Sequence, residues 1–314
     1  MRRLALLLSC LPRQHAGFTA RVYEPRPRRR LGASPICSSV PNFSSGPFAT
    51  AFELPVADGL CIGLRLPSSD DADGDVALPL SELHDLEVDR LATMKLARKI
   101  TFAGGRVAMR RALSTLCADG AVGCPVLPDE VGAPTLPPGT LGSISHTHGL
   151  VAAIVCVDSE GIEYAATPPR EGVAAPPLRA VGVDVESATR VVSPGAAMRC
   201  LHADERATLD AAPSGLASAA GELLLRVSLK EALYKALHPL LRETIRWHSV
   251  QVHPAPAGAC TVLTDELERQ IGARLEAEAS WQLCDGYLVT MARAALVGGA
   301  TRATSVRDAA SVAV

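Results

Sequence analysis

Val181-Gly182-Val183-Asp184-Val185-Glu186 alternates without a break, and the fold is decided by how it is read. Val181, Val183 and Val185 fall on one face of a β-strand, and Gly182, Asp184 and Glu186 on the other. The strand rise sets the two carboxylates ~6.5 Å apart. At an effective dielectric of about 20 they repel by roughly 2.5 kcal/mol, so a semi-buried pair needs a cation or ample water. Gly182 removes a side chain from that same face, where a ligand's backbone could approach. Further along, Ser228-Leu229-Lys230-Glu231-Ala232-Leu233-Tyr234-Lys235 has helical periodicity. Leu225, Leu229, Leu233, Ala236 and Leu240 form its apolar stripe. Ser228, Glu231 and Lys235 form a separate polar stripe, because positions three and four apart stack on one helix face. If that stripe faces the strand, Asp184, Glu186 and Glu231 converge. Such hard oxygen ligands, with room for water and phosphates, suit Mg²⁺. Taken singly, each piece is an ordinary half-exposed strand or a helix with a surface ion pair.

Working outward, apolar segments at 51–57 and 60–66 predict two strands around the turn Ala57-Asp58-Gly59. A helical pattern runs from Ser81, its expected cap, to Cys117 and is interrupted at Gly104-Gly105. A glycine pair opening the basic stretch Arg106 to Leu113 would offer an anion free backbone N–H groups. Residues 118–142 hold five prolines and five glycines and read as a loop. Gly142-Ser143-Ile144-Ser145-His146-Thr147-His148-Gly149 then leads into the apolar run Leu150 to Val157, a buried strand. Residues 165–179 form a proline-rich linker. Beyond the two motif pieces, strands are expected at 245–252 and 259–263, a polar helix at 264–278, and a hairpin over 281–289 turning at Asp285-Gly286. Arg106-x4-Arg111-Ala112-Leu113 is echoed by Lys230-x4-Lys235-Ala236-Leu237, which points to two related α+β halves with a ligand in the cleft between them.

Composition narrows the function classes. At 314 residues the chain holds one large core or two modest ones. A net charge of −2 argues against nucleic acid as the main partner. The nine cysteines are odd in number and form no C-x-x-C pair, so they read as reduced thiols. No apolar run approaches the length of a membrane span. Residues 1–50 carry eight arginines, no lysine and one acid, Glu24. That bias is typical of a transit peptide for a plastid or mitochondrion, the alternative being a disordered tail on a cytoplasmic protein. The expected organisation is 1–50 as a targeting or disordered segment, 51–164 as the first half, 165–179 as linker, 180–297 as the second half, and 298–314 as a disordered tail.

The two motif pieces together resemble the paired signatures of 4'-phosphopantetheinyl transferases, G-[IV]-D-x-E followed by [FW]-S-x-K-E-x-x-x-K. Only Val227, at the aromatic position, departs from them. Further likeness lies in Ala103-Gly104-Gly105-Arg106, Gly132-Ala133-Pro134, Ser143-Ile144-Ser145-His146, Asp204-Glu205-Arg206 and Lys235-Ala236-Leu237-His238-Pro239. The resemblance covers roughly residues 54 to 295 and is nearest the large, pseudodimeric, enterobactin-synthase-associated branch. It implies an α+β fold of two pseudo-symmetric halves, each a small antiparallel sheet packed on a long helix, with the active site in the cleft. It also implies transfer of 4'-phosphopantetheine from coenzyme A to a serine of an apo acyl or peptidyl carrier protein, with Mg²⁺, by a monomer. On this resemblance Asp184, Glu186 and Glu231 hold the metal, and Glu231 or a water it orients takes the serine proton. Lys235 neutralises the pyrophosphate or protonates the leaving group, and Lys230 supports it. Arg90, Arg106, Ser145 and His146 match positions that hold the nucleotide end of coenzyme A. Gly132-Ala133-Pro134 lacks a lysine common in the family, for which Arg106 or Arg110 would compensate. Two alternatives stand beside this reading: a non-catalytic coenzyme A- or carrier-binding module, and another Mg²⁺-dependent phosphohydrolase.

Overall fold

The computed structural model describes residues 48–67, 76–117, 123–158 and 178–297. Of the expected segment 1–50, residues 1–47 lie outside them, whereas Phe48 and Ala49 are buried in the core and Thr50 opens a strand; 298–314 and all but the end of the 165–179 linker also lie outside. Two antiparallel sheets result. The first half pairs β1 (Thr50–Val56), β2 (Gly59–Arg65), β4 (Leu150–Val157) and β3 (Thr140–Thr147), in that spatial order. Between β2 and β3 come α1 (Asp85–Leu91) and the long α2 (Leu96–Leu116). The second half orders β5 (Leu178–Ser187), β9 (Tyr287–Val297), β8 (Arg274–Cys284), β7 (Ala259–Leu263) and β6 (Gln251–Pro254). After β5 come the short helices α3 (Pro194–Cys200) and α4 (Ala203–Ala207) and the long α5 (Ala219–Leu241); α6 (Asp265–Ile271) lies between β7 and β8.

The two halves share one plan. A strand (β2 or β5) leads through helices to a hairpin (β3–β4 or β8–β9), whose last strand returns beside the first. The first halves of the helical segments also match in detail. His84 and His202 cap α1 and α4, and each helix closes a capping box with a glutamate, Glu87 or Glu205. Both glutamates are fully buried. Glu87 accepts from Val126 N at 2.6 Å and from Arg110 of α2 at 2.9 Å. Glu205 accepts from Val252 N at 2.9 Å and pairs with Lys230 of α5 at 2.8 Å. A buried carboxylate is tolerated when it is paired and fully hydrogen-bonded, as both of these are.

Each sheet turns one face to its long helix. α2 covers Leu60, Ile62, Leu64, Val151, Ala153 and Val155, while α5 covers Leu288, Ala292 and Ala294. The opposite faces meet in a shared apolar core that joins Cys61, Leu150 and Ile154 to Val181, Val183 and Val185. β3 and β5 run side by side as facing edges. Among the described residues no backbone–backbone hydrogen bond links the two sheets, so the seam is made by side chains, some of which reach a carbonyl across it, as Tyr287 does at His148 O at 3.3 Å.

Several sequence expectations are corrected. The helix break falls at Ala92–Lys95, and His84, not Ser81, caps α1. Gly104 and Gly105 lie inside α2, so their N–H groups belong to the helix and offer an anion nothing. They are small because the helix presses on its sheet there: a Cβ on Gly105 would stand 2.9 Å from Ile144, and one on Gly104 2.6 Å from Leu66. The polar helix ends at Ile271, since Gly272 takes φ +66° as its left-handed C-cap and releases 274–278 into β8. α5 runs through Pro239, and the following strand begins only at Gln251. The Asp285-Gly286 hairpin is as read, with φ of 52° and 78°.

Candidate active site

Gly182, Asp184 and Glu186 face α5, and the glycine explains how the helix gets so near. A Cβ at Gly182 would stand 1.9 Å from the carbonyl oxygen of Ala232 and 2.9 Å from the nitrogen of Ala236. The backbone that approaches Gly182 is therefore the helix's own, not a ligand's. This contact brings the polar stripe of α5 down onto Asp184, which is 6% exposed. Ser228 donates to Asp184 Oδ2 at 2.7 Å. Lys235 Nζ reaches Asp184 Oδ1 at 2.9 Å, Ser145 Oγ at 2.9 Å and the carbonyl of Val183 at 3.0 Å, so all three of its protons are engaged. Ser145, across the seam on β3, donates to the same Oδ1 at 2.8 Å. One buried carboxylate thus gathers groups from β3, β5 and α5.

Glu186 and Glu231 flank this knot. Glu186 pairs with Arg190 and accepts from Thr147 of β3 at 3.3 Å. Burial pushes both carboxyls above their ordinary range, and the charge of Asp184 adds to it; Arg190 opposes the rise at Glu186, and Lys235 and Arg190 oppose it at Glu231. Lys235 pairs with Asp184, where the sequence pattern had suggested Glu231. Among the described residues no three acid, histidine or cysteine groups are set as a ready metal cage. The donor set nevertheless fits a hard divalent cation: three carboxylates whose mutual repulsion a cation would relieve.

A cationic path leads away along the first half. Arg98 Nη1 lies 3.4 Å from His146 Nε2. Burial lowers the His146 pKa, and Arg98 and Lys235 lower it further against the pull of Asp184. Arg90 and Arg98 act in turn on Arg106, whose pKa burial brings down to about 10. Arg106 sits over the Phe102 ring at 3.9 Å and donates to the carbonyl of Val126 at 3.0 Å. Ser145, His146, Lys235, Asp184, Glu186 and Glu231 are therefore one neighbourhood, with Arg106 and the exposed Arg90 at its far end.

Two expectations fail here. Lys230 does not support Lys235: its Nζ is bonded to Glu205 at 2.8 Å, to Trp247 O at 2.8 Å and to Val250 O at 2.6 Å, inside the second half. Arg110 likewise holds Glu87 and the carbonyl of Cys124, a structural duty. Arg98 was missed in the sequence, where Arg98-Lys99 looks like any solvated helix turn. Its place beside His146 follows only from the pairing of α2 with β3.

Residues 87–156 match a family model described as the 4'-phosphopantetheinyl transferase N-terminal domain, and residues 180–292 match one described as the 4'-phosphopantetheinyl transferase superfamily. No curated protein matches the chain at a significant level. Among solved structures, an apo-ACPS structure from Chronobacterium ammoniagenes is 18% identical, with a TM-score of 0.30 over 39% of this chain and 100% of that one. An ACPS–CoA complex from the same source gives 18% and 0.30, over 38% of this chain and 99% of its own.

Proposed function

Because the chain belongs to the 4'-phosphopantetheinyl transferase superfamily, with matched segments over most of both halves, we propose that it acts as a holo-carrier-protein synthase. It moves 4'-phosphopantetheine from coenzyme A to a serine of an apo acyl or peptidyl carrier protein. The observation that carries this reading is the knot at Asp184, where both matched segments supply side chains to one carboxylate. The repeated strand–helix–hairpin plan supports the large pseudodimeric type, and the motif residues favour its enterobactin-synthase-associated branch. The active form is a monomer, and the arginine-rich stretch before Phe48 acts as an organelle address.

The reaction is an in-line displacement, which depends chiefly on positioning and charge neutralisation. The carrier serine oxygen bonds to the β-phosphorus of coenzyme A, the bond from that phosphorus to the bridging oxygen breaks, and 3',5'-ADP leaves. Glu231 receives the serine proton; its raised carboxyl pKa suits a proton acceptor. Lys235 and His146 line the path of the pyrophosphate, and Arg98, Arg106 and Arg90 continue positive charge towards the nucleotide. Asp184, Glu186 and Glu231 would hold Mg²⁺, which supplies Lewis-acid neutralisation of pyrophosphate charge when bound.

Purified protein incubated with coenzyme A, Mg²⁺ and apo carrier proteins tests the proposal by mass spectrometry. One phosphopantetheine added to a carrier serine is the expected product. Unchanged carriers, with coenzyme A either intact or simply hydrolysed, would overturn it.

A further inference from the structure

Thr290 belongs to no motif, yet it is fully buried and lies directly opposite Asp184 in the β5–β9 ladder. Cross-strand partners share a sheet face with Cβ atoms roughly 5 Å apart, so both side chains point at α5. Thr290 Oγ1 stands 2.9 Å from Ser228 Oγ and 2.9 Å from the Ser228 carbonyl oxygen, with the Asp184 carbonyl at 3.5 Å. Counting protons orders the chain. Ser228 has one hydroxyl proton, and Asp184 Oδ2 takes it at 2.7 Å. Ser228 Oγ is then the acceptor towards Thr290, whose own proton is shared between two oxygens of that serine.

A helical serine has a competing choice. Its hydroxyl commonly turns to the carbonyl four residues earlier, here that of Leu224. A donor fixed on the far side of Ser228 opposes that turn and keeps its proton on Asp184. Asp184 Oδ1 is already held by Ser145 and Lys235, so Oδ2 is the oxygen whose direction depends on Ser228.

We propose that Thr290 is a positioning residue for the reaction, orienting the Asp184 carboxylate through the hydroxyl of Ser228. As an effect on metal affinity this rests on the reading of Asp184 as a metal ligand, and the test separates the two. Mn²⁺ serves as the probe, its binding read by electron paramagnetic resonance of the free ion, with melting temperature as the folding control. Loss of an outer hydrogen-bond partner weakens metal binding by about 10- to 100-fold, and Thr290→Val is expected to fall in that range. Thr290→Ser, which keeps the hydroxyl, should return to within about 3-fold of wild type on the same scale. Ser228→Ala should show a similar loss, and adding Thr290→Val to it should weaken binding no further.

A crystal structure of metal-free Thr290→Val is the second measurement. The Ser228 hydroxyl should have left Asp184. Wild-type affinity in Thr290→Val, losses that multiply in the double variant, or an unmoved Ser228–Asp184 bond in that crystal would each overturn the proposal. A wild-type protein that binds no Mn²⁺ would overturn the metal reading instead, and the crystal structure would then decide the relay by itself.

Discussion

At Glu231 burial and neighbouring positive charge pull in opposite directions. Its carboxyl is raised by desolvation and by Asp184, with Lys235 and Arg190 pulling the other way. A raised native pKa means that the group's favourable contribution is complete below the unfolded value, about 4.3, and is lost as pH climbs through the native one. At neutral pH the metal-free protein therefore carries Glu231 at a disadvantage. Glu231→Gln should raise the melting temperature of metal-free protein at pH 7, and the gain should shrink as the pH is lowered towards that of an ordinary carboxylate. Mg²⁺ should reverse the ranking by stabilising wild type more; a variant no more stable than wild type in chelator would contradict this account. If Glu231 also receives the proton, the same variant should lose turnover by about 10²- to 10⁴-fold. His146 gives a second expectation. Its pKa is lowered by burial and by Arg98, so it is less protonated than free imidazole at the same pH. A bound pyrophosphate reverses the local sign and favours the charged ring. Calorimetry near pH 6 in buffers of different ionisation enthalpy should show proton uptake on coenzyme A binding. His146→Asn should remove it, and equal uptake in both proteins would assign the proton elsewhere.

At the scale of elements, the contact between β5 and α5 governs the site. Gly182→Ala would push a methyl into the Ala232 carbonyl. Overpacking of this kind costs about 1 to 3 kcal/mol, which urea unfolding would measure. Because the displaced helix carries Ser228, Glu231 and Lys235, activity should fall further than stability does; a variant with full turnover would show that the approach has no bearing on the site. The strand, its facing, and the stripe of Ser228, Glu231 and Lys235 were legible in the sequence because periods of two and of three to four residues are local properties. The role of Gly182 was not, since what presses on a glycine comes from elsewhere in the chain. The partner of Lys235 was missed for a similar reason: Glu231 is near in sequence, whereas Asp184 is near only after folding. The place of Lys230 is not legible either, because a motif lysine looks the same whether it faces a site or a buried Glu205. His84-Asp85-Leu86-Glu87 and His202-Ala203-Asp204-Glu205 do carry a readable repeat. It is hard to see because histidine is an uncommon N-cap beside serine, threonine or aspartate.

For the molecule as a whole, the core reaches back to Phe48, two residues before β1. Phe48 is 3% exposed, and its carbonyl accepts from Arg111 at 3.0 Å. A chain beginning at residue 48 should therefore keep both its stability and carrier modification. Phe48→Ala should cost about 3 to 5 kcal/mol, read again by urea unfolding; an equal loss on removing residues 1–47 alone would mean that the core extends into them.

The seam between the sheets has one more consequence. No main-chain ladder crosses it among the described residues. It is held by the shared apolar core, by Ser145 and Thr147 reaching Asp184 and Glu186, and by Arg293 and Arg179 at its margins. That is how two separate subunits associate, and here a covalent connection makes the association intramolecular. Carrying two modules on one chain supplies an effective concentration of up to about millimolar order. Made as two polypeptides, the halves would assemble by a second-order encounter, and the Asp184 knot would form only as often as they met. Joining them removes protein concentration from the conditions for activity.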